Sequence, residues 1–98
     1  MGFNSESSAV VGKMAAAFKI LSDPSRLNIV LTLQEHELCV QELADRTSLS
    51  QSLVSHHLHS LRLLNLVKHR REGKKIIYSL SDSHVSALLA VAHDHARE

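Results

Sequence analysis

Apolar residues recur every three to four positions along most of the chain, the spacing of helices that bury one face. The first such segment covers residues 9–21, and Asp23-Pro24 then starts a second helix, because aspartate caps helix N-termini and proline fits the first helical position. Residues 40–46 predict a short third helix. A longer fourth helix follows, with five apolar residues predicted on its inner face: Leu53, Val54, Leu58, Leu61 and Leu64.

The hydrophobic period changes from helical to alternating between residues 67 and 80, where a strand pair is predicted with Glu72-Gly73 at its tip. Ser81 or Asp82 can then cap a last helix. The predicted fold is mostly α with a small β-hairpin, in the order α-α-α-α-β-β-α. Residues 1–8 are polar and predict a disordered N-terminus, which leaves residues 9–98 as one domain.

The third and fourth helices are separated by a tight turn, which is typical of a helix-turn-helix. Polar side chains remain on the outer face near the start of the fourth helix. These are Gln51, Ser52, Ser55, His56 and, one turn further, His59. On a helix in a major groove such side chains reach base edges, although any exposed helix carries similar residues.

Basic residues are concentrated beside this pair of helices. Residues 62–75 carry a net charge of +5, within a chain of 98 residues whose net charge is +1. Four of these cations surround the hairpin tip and are predicted to contact phosphates: Arg70, Arg71, Lys74 and Lys75. A basic hairpin directly after a helix-turn-helix predicts a winged helix that binds double-stranded DNA.

The amino-acid composition is consistent with this predicted fold. Aromatic residues make up only 3%, which favours an aliphatic core between helices. The single cysteine, Cys39, excludes an intrachain disulfide and favours a cytoplasmic location. We expect no membrane span and no small-molecule substrate.

Possible metal ligands lie at both ends of the last helix: Asp82 and His84 at the start, His95 and Glu98 at the finish. At about 100° per residue, His84 and His95 differ by about 20° and share a face, whereas His93 lies about 180° from His84. Eleven residues span about 16 Å, while a metal–nitrogen bond is about 2 Å. One helix therefore cannot bind one ion through both histidines.

An antiparallel second copy of the helix solves this problem. If the two-fold axis passes between Leu89 and Ala90, residue 84 faces residue 95 of the partner and residue 82 faces residue 98. The apolar residues between become the seam of a homodimer: Ala87, Leu88 and Val91. Two imidazoles and two carboxylates favour Zn(II), with Co(II) as a close mimic, at two interfacial sites per dimer. Solvated side chains, with Asp82 acting only as a cap, are the simpler alternative.

Three segments of the chain are similar to those of a known protein family: ELCVQELA, LSQSLVSHHLHSLRLLNLV and GKKIIYSL. A fourth similarity is the motif D-x-H followed after ten residues by H-x-x-E. Together they resemble the ArsR/SmtB family of dimeric winged-helix metal-sensing repressors. The resemblance implies a cytoplasmic bacterial repressor of zinc efflux or sequestration genes, with a dimer built by the first and last helices. It also implies release from DNA when zinc binds.

The resemblance has one informative departure. Thiol-using family members carry two cysteines in the motif E-L-C-V-C, but Gln41 replaces the second one here. We therefore expect Cys39 to be a small buried apolar residue rather than a metal ligand.

The sequence as a whole predicts a zinc-responsive repressor that binds an inverted-repeat operator as a homodimer and is not an enzyme. The alternative is a winged-helix DNA-binding regulator of the same fold that does not sense metal. A small zinc hydrolase is disfavoured, because a catalytic zinc keeps an open position that four protein ligands would close.

Overall fold

The computed structural model describes residues 7–98, and the predicted order of elements is confirmed. The elements are α1 (Ser8–Leu21), α2 (Pro24–Glu35), α3 (Val40–Thr47), α4 (Gln51–Leu63), β1 (Val67–Glu72), β2 (Lys75–Leu80) and α5 (Ser83–Arg97). Most of the predicted disordered N-terminus, residues 1–6, lies outside the described residues. Helix α1 begins at Ser8, one residue earlier than its apolar spacing indicated.

Side-chain caps fix where the helices start. The carboxylate of Asp23 accepts the backbone N–H of Arg26 at 3.0 Å, with Pro24 in the first turn of α2. The hydroxyl of Ser50 accepts the N–H of Leu53 at 3.1 Å and so starts α4. Such caps satisfy donors that have no partner within the helix.

Two residues with left-handed backbone conformation end the helices of the helix-turn-helix. Ser48 has φ 59° after α3, and Asn65 has φ 57° after α4. Beyond Asn65, the N–H of Leu66 donates to the carbonyl of Leu61 at 3.0 Å, as in a Schellman motif. These turns set the direction in which α4 leaves α3 and in which β1 leaves α4.

Strands β1 and β2 form an antiparallel hairpin in which Val67 pairs with Leu80 and Glu72 with Lys75. The loop is therefore Gly73-Lys74, one residue later than the predicted tip. Gly73 has φ 64°, a conformation that glycine adopts without steric cost at the first position of a two-residue hairpin loop. The sequence pattern did not predict the two hydrogen bonds that join Leu38 to Tyr78, which attach the hairpin to the α2–α3 connection.

The core lies where α2, α3 and α4 meet the base of the hairpin. Its fully buried side chains are Ile29, Val30, Leu43, Val54, Leu58 and Leu61. Leu89 is the buried residue of α5 that joins this core. No helix within residues 7–98 combines the length and apolarity that crossing a membrane requires.

One predicted core position was wrong. Leu53 was expected on the inner face of α4, yet it is exposed, and Leu64 is only partly buried. The buried residues of α4, which are Val54, His57, Leu58 and Leu61, span about 100° of the helix, and Leu53 lies about 40° outside that arc.

Candidate nucleic-acid interface and metal centre

The outer face of α4 carries the polar side chains that were predicted to contact bases. Gln51, Ser52, Ser55, His56 and His59 are all exposed. The Ser50 cap places the first of them in the first turn of α4, at the end that follows the tight turn. Short hydrogen-bonding side chains at the start of such a helix have the chemistry that base edges require.

The inner face of α4 contains a histidine whose position the sequence did not reveal. His57 is buried, at 7% exposure, although His56 beside it is exposed. Its Nδ1 accepts a hydrogen bond from Nε of Arg26, on α2, at 3.2 Å. Burial, and then the positive charge of Arg26, lower the pKa of His57 below its usual 6.5. The helical spacing from Val54 to Leu61 could have placed His57 on this face.

The hairpin holds its basic side chains in exposed positions, as predicted. Lys74 lies in the two-residue loop and Lys75 begins β2. Nε of Arg71 donates to the carbonyl of Gly73 at 3.2 Å, which holds that side chain against the loop. These three cations give the end of the hairpin the charge that a phosphate backbone attracts.

Arg70 differs from its neighbours because its guanidinium is already paired. One NH group contacts Oε1 of Glu37 at 2.8 Å and the other contacts Oε2 of Glu72 at 2.9 Å. The hydrogen bonds to Glu37 and then Glu72 raise the pKa of Arg70 above its ordinary value. Arg70 was predicted to contact phosphates, and its pairing with Glu37 was not predicted because Glu37 is 33 residues away in the chain.

The candidate metal ligands lie at the two ends of one continuous helix. α5 runs unbroken from His84 to His95, so the helical geometry that places both imidazoles on one face applies. The side chain of His84 is 94% exposed, and His95 and Glu98 are exposed as well. Glu98 follows the helix at the C-cap position, where its N–H donates to the carbonyl of His95 at 3.3 Å.

Asp82, a candidate metal ligand, also has a structural role as a helix cap. Its Oδ1 accepts the N–H groups of His84 at 2.9 Å and Val85 at 3.1 Å, so Asp82 is the N-cap of α5. The hydrogen bond from Val85, followed by that from His84, lowers the pKa of Asp82, which keeps the carboxyl ionised. Its Oδ2 makes no hydrogen bond within residues 7–98, so the cap leaves one oxygen for a ligand.

Within the described part of one chain, no three histidine, cysteine, aspartate or glutamate side chains lie close enough to bind a metal together. Asp82 and His84 come near each other, with Oδ1 and Nδ1 3.6 Å apart. Imidazole nitrogens and carboxylate oxygens suit Zn(II) chemically. A complete zinc site from these residues therefore needs both ends of α5, and so a second chain.

Exposed apolar side chains cover the outer faces of α1 and α5. On α5 these include Leu88 and Val91, the latter 69% exposed, both within the predicted seam. On α1 they are Val10, Val11, Met14 and Phe18. Several large exposed apolar side chains on one helix, as on α1, are typical of a surface that packs against another protein.

The helix carrying the candidate ligands is hydrogen-bonded to the rest of the domain. The side-chain amide of Gln34, near the end of α2, donates to the backbone carbonyl of Ser86 at 3.1 Å. Cys39 is buried, as predicted, and precedes α3 at its N-cap.

Comparison with known proteins identifies the family. The family model for bacterial regulatory proteins of the arsR family matches residues 23–69. A transcriptional repressor SmtB homolog from Synechocystis sp. is 46% identical over 86 residues, which cover 88% of this chain and 65% of that protein. A cadmium resistance transcriptional regulatory protein CadC homolog from Staphylococcus aureus is 44% identical, over 87% of this chain and 71% of its own length.

A solved structure agrees with these sequence matches. The homodimeric winged helix-turn-helix DNA-binding domain of a possible ArsR-family transcriptional regulator from Mycobacterium bovis superposes with a TM-score of 0.88. The match has 29% identity and covers 95% of this chain and 89% of that one. The protein therefore belongs to the arsR family of bacterial regulatory proteins.

Proposed function

We propose that this protein is a homodimeric transcriptional repressor that binds an inverted-repeat DNA operator in the cytoplasm and leaves it when zinc binds. The observation that carries the proposal is the arrangement of α5. An unbroken helix holds exposed Asp82 and His84 at one end and exposed His95 and Glu98 at the other. An antiparallel partner helix would complete a four-ligand site at each end.

The proposed dimer has a surface that needs covering. Leu88 and Val91 on α5 and Met14 and Phe18 on α1 expose apolar area that a second copy would bury. The relative from Mycobacterium bovis is described as homodimeric, which supports the same assembly here.

The proposed DNA contacts divide into two kinds. Gln51, Ser52, Ser55 and His56 at the start of α4 would contact base edges in the major groove. Arg71, Lys74 and Lys75 of the hairpin would contact phosphates. Arg70 belongs to the same group, but it must exchange a carboxylate for a phosphate to take part.

The choice of zinc rests on the donor atoms. Two imidazoles and two carboxylates form a compact four-coordinate set that suits Zn(II), with Co(II) as a mimic, whereas Cd(II) and similar soft ions prefer thiolates. The one thiol in the chain, on Cys39, is buried at the start of α3. The relative from Staphylococcus aureus is a cadmium resistance transcriptional regulatory protein CadC homolog, which supports a metal response in general.

The proposed release of DNA depends on thermodynamic coupling between zinc binding and DNA binding. Zinc bound at both ends of the paired α5 helices would favour one arrangement of the subunits, and it weakens DNA binding only if that arrangement fits DNA less well. Within each subunit, the hydrogen bond from Gln34 to Ser86 connects α5 to α2, which packs against α3 and α4.

The direct test is a zinc titration of DNA binding, using a duplex selected from a random library by the metal-free protein. Zinc should weaken binding of the wild type, and His95→Ala should bind the same duplex but lose at least about tenfold in zinc sensitivity. His93→Ala is the matched control, since His93 lies two residues away on the same helix but points away from His84. Release of the His95→Ala protein by zinc at wild-type concentrations would contradict the site.

A zinc-insensitive wild type would instead support the alternative, a winged-helix regulator of the same fold that does not sense metal.

A further inference from the structure

The contact between Arg26 and His57 joins the helix proposed to enter DNA to the helix behind it. His57 lies on the buried stripe of α4, three residues after Val54 and four before Leu61. Its neighbour His56 is on the exposed face that we propose contacts bases. A change in how His57 packs would therefore move the side chains that meet DNA.

The backbone of Arg26 is fixed by the cap of α2. Its backbone N–H donates to the carboxylate of Asp23 at 3.0 Å, in the capped first turn of α2. From that turn its Nε donates to Nδ1 of His57 at 3.2 Å. This is the side-chain hydrogen bond that joins α2 to α4 among the described residues.

The chemistry of the two groups requires a neutral imidazole. A guanidinium has only donors, so Nδ1 must offer a lone pair and the ring proton must reside on Nε2. Protonation of Nδ1 would leave two N–H donors and two positive charges 3.2 Å apart. The contact would then be repulsive, and the pair would have to separate.

The surroundings of His57 contain charges of both signs. From α2, Arg26 disfavours the protonated ring and Asp23 favours it; from α4, His56 disfavours it. Lys19, from α1, lines the cleft beside Arg26 and adds positive charge on that side. Burial opposes protonation most strongly, which keeps His57 neutral near pH 7.

We propose that Arg26 and His57 are a positioning pair, which fixes the DNA-contacting helix α4 on α2 while His57 is neutral and releases it when His57 is protonated. Operator affinity then falls on acidification, independently of any metal. The inference rests on the DNA binding proposed above. The two positioning residues, His57 on the inner face of α4 and Arg26 on α2, are distinct from the side chains proposed to contact bases.

Two substitutions of His57 distinguish the effect of its hydrogen bond to Arg26 from the effect of its protonation. His57→Gln keeps an acceptor for Arg26 but cannot titrate, whereas His57→Met fills similar space without an acceptor. Dimeric wild type and both variants are compared from pH 5 to pH 8 with a chelator present, on the selected duplex and on a scrambled duplex. Circular dichroism at each pH verifies that the variants are folded.

At pH 8 we expect His57→Gln to bind the selected duplex within about twofold of wild type. His57→Met should bind it about two- to tenfold more weakly, the range for one lost hydrogen bond. As pH falls, wild type should weaken relative to His57→Gln, because only wild type can protonate this position. Every other side chain is the same in the three proteins, so the ratio of affinities isolates the effect of position 57.

Parallel pH profiles for wild type and His57→Gln would overturn the proton dependence. Equal affinity of wild type and His57→Met at pH 8 would overturn the positioning. A protein that selects no duplex would contradict the proposed function instead.

A second measurement needs neither DNA nor a variant. Nitrogen NMR of the imidazoles in the intact dimer should show His57 as the Nε2–H tautomer. Because the ring is buried, its pKa should lie below the usual 6.5. A proton on Nδ1 at neutral pH, or ordinary titration, would overturn the inference even if DNA binding fails.

Discussion

Single side chains decide how much of the hairpin's charge is available to DNA. Arg70 contacts Glu37 and Glu72, whereas Lys74 and Lys75 project from the end of the hairpin. All three members of the Arg70 cluster are about half exposed or more, so water and salt weaken these ion pairs. A phosphate could replace either carboxylate, but only by breaking an existing contact.

Glu37→Gln should therefore tighten DNA binding by releasing Arg70 toward the phosphates. Each additional phosphate contact steepens the dependence of log K on log salt concentration by about 0.9. We expect the variant to approach that increase when binding is measured between low and moderate salt.

Glu35→Gln is the matched control, since it removes the same charge two residues earlier, from a glutamate that forms no ion pair within residues 7–98. If the two variants change the salt dependence equally, general charge alone explains the effect and the bridge from Glu37 to Arg70 has no specific role.

At the scale of elements, Asp82 at the start of α5 has two roles, as the N-cap of the helix and as a proposed zinc ligand. Asp82 starts the helix through Oδ1 and is also a proposed zinc ligand, with Oδ2 free of hydrogen bonds to the described residues. Capping needs any short side-chain acceptor, whereas ligation needs a carboxylate. The two functions can therefore be separated by substitution.

Asp82→Ser should keep the N-cap and lose the ligand. We expect a Tm and a metal-free DNA affinity close to those of wild type, with zinc affinity reduced more than about tenfold. Asp82→Ala should lose zinc affinity and also have a lower Tm, because nothing then accepts the first N–H groups of α5. Wild-type zinc affinity in Asp82→Ser, measured by competition with a chelating dye, would remove Asp82 from the site.

At the scale of the whole molecule, one chain has a complete core but incomplete surfaces. The aliphatic side chains between α2, α3 and α4 are buried within one chain. By contrast, Phe18 on α1 and Val91 on α5 are exposed to solvent. The proposed ligands show the same incompleteness, since each end of α5 offers half a coordination shell. A dimer through α5 would resolve both.

The order of elements could be predicted because the hydrophobic period and the caps are local properties. Asp23-Pro24 and Ser50 specified helix starts from neighbouring residues alone. Contacts between distant residues could not be predicted in this way. Arg26 and His57 are 31 positions apart, so helical spacing could place His57 on the inner face of α4 but could not reveal its partner on α2.

The candidate metal site shows where sequence reasoning succeeds and where it stops. Helix geometry placed His84 and His95 on one face, and α5 is indeed continuous between them. The sequence offered Ser81 or Asp82 as the cap of α5, and the structure has Asp82 in that position. The antiparallel partner stays a prediction, since its evidence lies in a contact between chains.

Subunit complementation tests this partnership most directly. A His84→Ala homodimer and a His95→Ala homodimer each lack one ligand in both sites. In a mixed dimer of the two, the antiparallel arrangement places both losses in one site and leaves the other intact. Mixed dimers, isolated with two different tags, should recover one tight zinc site that neither parent has. Mixed dimers that bind zinc no better than the parents would contradict the antiparallel arrangement.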